Sequence, residues 1–158
     1  MEEEKKFTGY GTCIFANGEY TGELVDGVRQ GYGVFKFSNY DIYDGDWEAG
    51  KMHGKGIYKF YDPIKDKYAS KYEGDFNNGM REGKGKMTYA NHDVYVGSWQ
   101  NNNRTGNGIC WFGSGDVFQG IWKFNQMVRG VFRKADGEVF DGEMKNGKYN
   151  GYGKLFWS

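Results

Sequence analysis

Tyr43–Ile57, Y-D-G-D-W-E-A-G-K-M-H-G-K-G-I, decides how this chain folds. A ring, a glycine two positions on and a second ring are followed by three more glycines at fixed spacing. Tyr72–Met87 repeats the pattern as Y-E-G-D-F-N-N-G-M-R-E-G-K-G-K-M, and Tyr95–Ile109 as Y-V-G-S-W-Q-N-N-N-R-T-G-N-G-I. Comparable starts at Tyr20, Phe118 and Phe140 place successive units 23, 29, 23, 23 and 22 residues apart. A period in the twenties marks a repeat architecture, in which each unit buries its apolar face only against its neighbours.

Each full unit reads as two short strands. In Tyr20–Leu24 the set Tyr20, Gly22, Leu24 faces one way and Thr21 with Glu23 the other, because side chains alternate along a strand. After the Asp26-Gly27 turn, Gly31, Gly33, Phe35 and Phe37 share a face, with Tyr32, Val34 and Lys36 behind them. The next units repeat this with Tyr43/Gly45/Trp47 and Gly54/Gly56/Tyr58/Phe60, Tyr72/Gly74/Phe76 and Gly83/Gly85/Met87/Tyr89, then Tyr95/Gly97/Trp99 and Gly106/Gly108/Cys110/Phe112. Helix is excluded by glycine inside every segment and by the period of two. Glycine normally weakens a strand, so its use here is space: a ring lies over the glycine of the neighbouring strand and covers its backbone. On the opposite face, Glu23, Asp44, Asp46, Glu73, Asp75, Asp141 and Glu143 on first strands and Lys36, Lys55, Lys59, Lys84, Lys86 and Lys154 on second strands are expected in adjacent rows. Each exposed pair adds about 0.2–1 kcal/mol.

The run Tyr-x-Gly-x-Trp/Phe-x-x-Gly-x-x-x-Gly-x-Gly resembles the MORN repeat (membrane occupation and recognition nexus), from Gly9 to Trp157. The resemblance implies an all-β fold: an elongated, twisted, single-layer antiparallel sheet of stacked β-hairpins with an aromatic-lined groove. It also implies scaffolding in cilia, flagella, cortical or cytokinetic structures and at membrane junctions, sometimes by gripping a helical peptide of a partner. Some members carry a kinase or methyltransferase domain beside the repeats; no residues remain here for one, so an enzyme is not expected.

Residues 1–6 read as a disordered lead-in and 7–158 as the repeat domain. It has about seven hairpins, the first partial, with six extra residues inserted at 61–71 and expected to form a surface loop where other units close with a short turn. Asn101-Asn102-Asn103 replaces the usual turn glycine, and asparagine takes the same left-handed backbone. Arg129-Gly130-Val131-Phe132 lacks one glycine and one residue, which places a bulge or bend near 128–133.

The 158 residues include 27 glycines, one proline and 30 aromatic rings, with 21 basic and 21 acidic side chains and a mean hydropathy of -0.83. Zero net charge gives no general attraction to nucleic acid or anionic membrane. Trp111, Tyr32 and Phe156, the rings of the charged face, are expected among carboxylates, which argues further against nucleic acid. The charged start M-E-E-E-K-K is no secretion signal, and no apolar run is long enough to span a bilayer. His53 and His92 occupy turn positions without a second ligand nearby, so no metal site is expected. Cys13 and Cys110 sit at equivalent inward positions four units apart, roughly 38 Å at two strands per unit, too far for a disulfide. The Gly-x-Gly pairs open no helix and lack the third glycine of a dinucleotide site, so no cofactor is expected.

A single-layer sheet leaves a face for a partner. Tyr20, Tyr43, Trp47, Tyr72, Phe76, Tyr95, Trp99, Phe118 and Trp122 are the rings expected to hold a helical or extended protein segment. Open sheet edges invite a homodimer or an added strand. The leading expectation is a noncatalytic scaffold or adaptor of the cytoplasm and cytoskeleton, with the axoneme of a cilium or flagellum as a particular site. The alternative is a peripheral membrane module touching anionic lipid through Lys51, Lys55, Lys59, Lys65, Lys67 and Lys71.

Overall fold

The computed structural model describes residues 6–158, and among these there is no helix. Thirteen strands run in chain order through an open antiparallel sheet. They are β1 (Gly9–Phe15), β2 (Gly18–Val25), β3 (Val28–Phe37), β4 (Ile42–Glu48), β5 (Lys51–Asp62), β6 (Lys67–Asn77), β7 (Met80–Thr88), β8 (Val94–Gln100), β9 (Asn103–Trp111), β10 (Val117–Lys123), β11 (Gln126–Arg133), β12 (Glu138–Lys145) and β13 (Lys148–Trp157). The chain divides into two compact units, one up to Met80 and one from Arg81 to Ser158. The lead-in expected at 1–6 lies, apart from Lys6, outside the described residues.

In both units glycine stands opposite glycine. Gly11, Gly22, Gly33, Gly45, Gly56 and Gly74 form one cross-strand row in the first. Gly85, Gly97, Gly108, Gly120, Gly130, Gly142 and Gly153 form another in the second. Over each row lie the first-strand rings: a side chain at Gly108 would come 2.5 Å from Cε2 and Cζ of Tyr95. These rings meet edge to face, Trp47 at 5.5 Å from Tyr20 and 5.1 Å from Tyr43, Trp122 at 5.2 Å from Tyr95 and 5.5 Å from Phe118. The core of each unit is thus built between neighbouring strands of one layer.

The two glycines of Gly-x-Gly have different tasks. The second belongs to the flat row. The first lies in a bulge, as at Gly54 with φ 66°, a backbone shape that other residues adopt only under strain. The register shifts by two residues there, from Gly45↔Gly56 to Trp47↔Met52, and likewise from Gly97↔Gly108 to Trp99↔Arg104. The freed groups find partners: Lys55 N–H donates to Asp46 Oδ2 at 3.1 Å and Tyr32 N–H to Glu23 Oε2 at 2.6 Å. The first-strand tyrosine then donates to the carbonyl three residues on, Tyr20 to Glu23 at 2.7 Å and Tyr43 to Asp46 at 2.7 Å. Tyr72 reaches Asp75 and Tyr95 reaches Ser98, both at 2.8 Å.

The irregular sixth unit fits the same account. Its register moves by only one residue, from Ile121↔Arg129 to Trp122↔Met127, leaving Val128 as the extra residue of the bulge expected near 128–133. The position that carries Glu23, Asp46 and Glu143 elsewhere is here Ile121, where no second bulge N–H needs a carboxylate. Asn101 and Asn102 take φ 49° and 66°, as the turn requires, and Phe124 is held at φ 47° at the corresponding place.

Three expectations are corrected. The insertion is no loop: it lengthens β5 and β6, pairing Tyr61 with Tyr68 and Asp62 with Lys67, so only residues 63–66 turn. His53 lies in the β5 bulge, 2.8 Å from a Glu48 carboxylate oxygen, whereas His92 does occupy a turn. Acids and lysines alternate less regularly than expected, because Val34, Ile57, Val96 and Ile109 stand among them. Glu19 faces Lys36, Lys55 faces and pairs with Asp75, and Asp141 faces Lys154, but Lys59 faces Lys71.

Candidate functional site

The nine rings expected to grip a partner are the core itself. Tyr20, Tyr43, Trp47, Tyr72, Phe76, Tyr95, Trp99, Phe118 and Trp122 are each 4% exposed or less. The reason is spacing: two rings on one first strand meet the first-strand rings of neighbouring units above the glycine row, and each covers the next. Tryptophan is fixed further by its indole N–H, which donates to a row glycine of the preceding unit. Trp47 reaches Gly33 O at 3.0 Å, and Trp99 and Trp122 reach Gly85 O and Gly108 O at 3.1 Å.

Burial also sets the chemistry of these rings. It pushes the Tyr20 and Tyr95 phenols up to about 12 and raises Tyr43, and it lifts the Cys110 thiol to about 11. The unfolded chain loses its phenol protons near pH 10 while the fold keeps them. The tyrosine contribution to stability is therefore present below pH 10 and falls as pH rises toward 12. Urea midpoints measured from pH 8 to 11.5 should begin to decline near pH 9, where Cys110 starts to contribute, and fall more steeply above about 10, with the tyrosinate absorbance of the buried phenols appearing only on unfolding. A decline complete by pH 9 would assign alkaline instability to other groups.

The open part of this face comes from the second strands. Phe15, Phe37, Tyr58 and Phe60 are half-buried in the first unit, and Tyr89, Phe112 and Tyr149 in the second. Phe35 joins Phe15 and Phe37 at 6.1 and 4.5 Å, and Tyr58 joins Phe37 and Phe60 at 5.7 and 4.6 Å, giving a stripe of rings that rests on the buried set. Arginine completes it. The Arg29 guanidinium stands 4.8 Å from the Trp47 ring, Arg81 5.1 Å from Trp99 and Arg104 4.7 Å from Trp122.

Sequence reasoning missed these arginines, although the signal was there. Arg29, Arg81 and Arg104 precede units with Trp47, Trp99 and Trp122, whereas Met52 precedes Phe76 and Met127 precedes Met144. A guanidinium is used where there is an indole to stack on. Arg104 also donates to Asn125 O at 2.9 Å and Arg81 to Asn102 O at 3.0 Å, which ties each to the turn of the following hairpin.

The lysines proposed for lipid do not form one patch. Lys51 begins β5 at the end away from the 63–66 turn, Lys55 pairs with Asp75 and Lys71 with Glu73. Lys65 and Lys67 lie at the tip of the lengthened hairpin beside Ile64, which is 93% exposed. No group of three or more metal-ligating side chains occurs among the described residues, and Cys13 and Cys110 are free thiols.

An open, single-layer array of bulged hairpins, with rings over a glycine row, defines a class of repeat protein. The chain belongs to the MORN repeat family, whose profile matches residues 3–19, 20–42, 43–62, 72–94, 95–117, 118–139 and 140–158. The unmatched residues 63–71 fall in the lengthened hairpin. MORN repeats are generally binding or scaffold modules. The chain is 34% identical over 73 residues to MORN repeat-containing protein 3 of Xenopus laevis, across 46% of this chain and 31% of that protein. It is 32% identical over 101 residues to alsin of Homo sapiens, and equally to that of Rattus norvegicus, across 56% of this chain and 6% of alsin. The chain thus spans a minor part of these relatives. The TCP domain of Drosophila melanogaster SAS-4, solved in complex with a proline-rich motif of Ana2, is 13% identical with a TM-score of 0.45, over 94% of this chain and 90% of that one.

Proposed function

We propose that this chain is a noncatalytic adaptor of a cytoskeletal assembly in the cytoplasm, in particular of a cilium or flagellum, and that it holds a helical or extended segment of a partner on its ring face. The half-buried second-strand stripe carries this reading: Phe37 and Phe112 offer apolar area that a partner would cover, on a base already rigid. The scaffold roles implied by the family resemblance support the cytoskeletal part. Affinity purification from native cells tests it, with wild type compared against Phe37→Ser, Phe112→Ser. Cytoskeletal partners recovered with wild type and reduced at least ~10-fold with a folded double variant are expected, as for hot-spot rings. Undiminished recovery would remove the ring face from the reading.

A second reading, peripheral contact with anionic lipid, draws on the tip where Ile64 stands exposed beside Lys65 and Lys67. An apolar side chain flanked by cations suits a headgroup boundary. Cosedimentation with phosphatidylserine vesicles, lost in Lys65→Glu, Lys67→Glu, would favour it over the adaptor reading.

A further inference from the structure

The face of the second unit that turns away from the rings differs from the solvated surface its charged sequence suggests. Val96, Ile109 and Val131, with Asn107 and with Gln119 standing between Ile109 and Val131, line a hollow of about 660 Å³ that includes Gly108 and Gly120. Ile121 and Val128, with Arg129, Glu143 and Lys145, line a second hollow of about 320 Å³ that runs on from β10 to β13. Val96, Ile121 and Val128 are open to solvent, Val96 at 41% and Ile121 at 38%, while Ile109 and Val131 are half-buried. Trp111 lies across from Val94 and Val117, and Phe156 across from Val139, rather than among carboxylates as the sequence suggested. Tyr32, on the first unit, does donate to Asp44 Oδ1, at 2.5 Å.

Charge on this unit is one-sided. Residues 81–158 carry eleven basic and seven acidic side chains, against ten and fourteen in residues 1–80, so the zero net charge of the chain conceals two opposite halves. On the face itself Asp141 already has Lys154 opposite, and Glu143 has Arg129. Arg133 has Val117 and Val139 opposite, and Lys86 has Val96 on its β8 side. An occupant that brings apolar side chains to the hollow and carboxylates to its rim gains on both counts.

We infer that this face docks an acidic amphipathic helix of a protein partner, as a second site beyond the ring face. The geometry suits a helix laid across the strands. Neighbouring strands are about 4.8 Å apart and a helix advances about 5.4 Å per turn, so successive turns meet successive strands from β8 to β11. Apolar residues at i, i+3, i+4 and i+7 face Val96, Ile109 and Val131, and glutamates on the flanks reach Lys86 and Arg133.

The test uses the whole chain and a labelled designed helix, leucine at those positions and glutamate elsewhere, read by fluorescence anisotropy at low salt. Binding with a Kd on the order of 10 µM is expected, weakening as salt is added. Val96→Asp, and separately Lys86→Glu, Arg133→Glu, should each weaken it at least ~10-fold. These side chains are on the surface, and circular dichroism confirms that the variants fold. Four outcomes overturn the inference. They are no binding at about 200 µM wild type, equal binding of a helix with lysine for glutamate, binding unchanged in both variants, or loss of peptide binding through self-association that Val96→Asp abolishes. The last assigns the face to a second copy. Failure here leaves the ring-face adaptor reading standing, since Phe112 lies on the other side of this unit's sheet and Phe37 belongs to the first unit.

Discussion

Gly108→Ala is expected to lower stability by about 3 kcal/mol, the upper end of the usual range for overpacking a filled site. The sign is the informative part. Replacing glycine by alanine within a strand normally helps, by about 0.4–1 kcal/mol, because the unfolded chain loses freedom. At Gly108 the new methyl would meet Cε2 and Cζ of Tyr95 at 2.5 Å. Tyr95 is fully buried, its ring centroid 5.2 Å from both Trp99 and Trp122, and its hydroxyl donates to Ser98 O at 2.8 Å. Trp122 in turn donates to the carbonyl of Gly108 itself. The ring has nowhere to retreat without disturbing both indoles. Urea unfolding followed by tryptophan fluorescence measures the loss. In a Tyr95→Ala background the same substitution should cost less than about 1 kcal/mol, because the obstructing ring is gone. An unchanged or raised urea midpoint for Gly108→Ala in the otherwise native chain would refute the packing account.

Trp47→Ala should cost about 3–5 kcal/mol, as for other buried large side chains. Three contacts are lost together: edge-on packing against Tyr20 and Tyr43, the indole hydrogen bond to Gly33 O, and the stack under Arg29. Trp47→Phe keeps a ring but not the N–H, and should cost about 1–3 kcal/mol for leaving a buried carbonyl without its donor. If Trp47→Ala melts within a degree or two of wild type, the indole is not part of the core and its place as a partner contact returns. The expected result means that a Trp→Ala change cannot serve as a binding probe, since it reports on folding first. Half-buried Phe37 and Phe112 are the better probes.

Much of this fold is written in the spacing of Tyr43–Ile57. Strand alternation, the hairpin turns and the pairing of rings with glycine follow from period two and from the absence of side chains at Gly45 and Gly56. Burial of the rings does not follow, because alternation says which face Tyr43 and Trp47 share and not what covers them. The cover comes from Phe76 and Arg29, which lie 29 and 18 positions from Trp47 along the chain. The role of Asp46 was equally hidden. Read as a solvated charge, it instead accepts a bulge N–H, and only comparison with Ile121 in the unit with the smaller bulge reveals why an acid stands there. The lengthened β5–β6 hairpin does not show in the repeat spacing, because the six extra residues fall where other units close with a short turn, yet Tyr61 and Tyr68 pair.

Strand order equal to chain order has a consequence for synthesis. Every strand within a unit pairs with the one just before it, so no contact waits for a distant segment, and folding of such local topologies is fast. The dependence also has a direction. Trp47 closes on the carbonyl of Gly33 and Trp122 on that of Gly108, in each case a glycine made earlier, and Arg29 and Arg104 are already present when their indoles arrive. A nascent chain leaving the ribosome at about 5–20 residues per second could add one hairpin every few seconds, each laid on a template already in place.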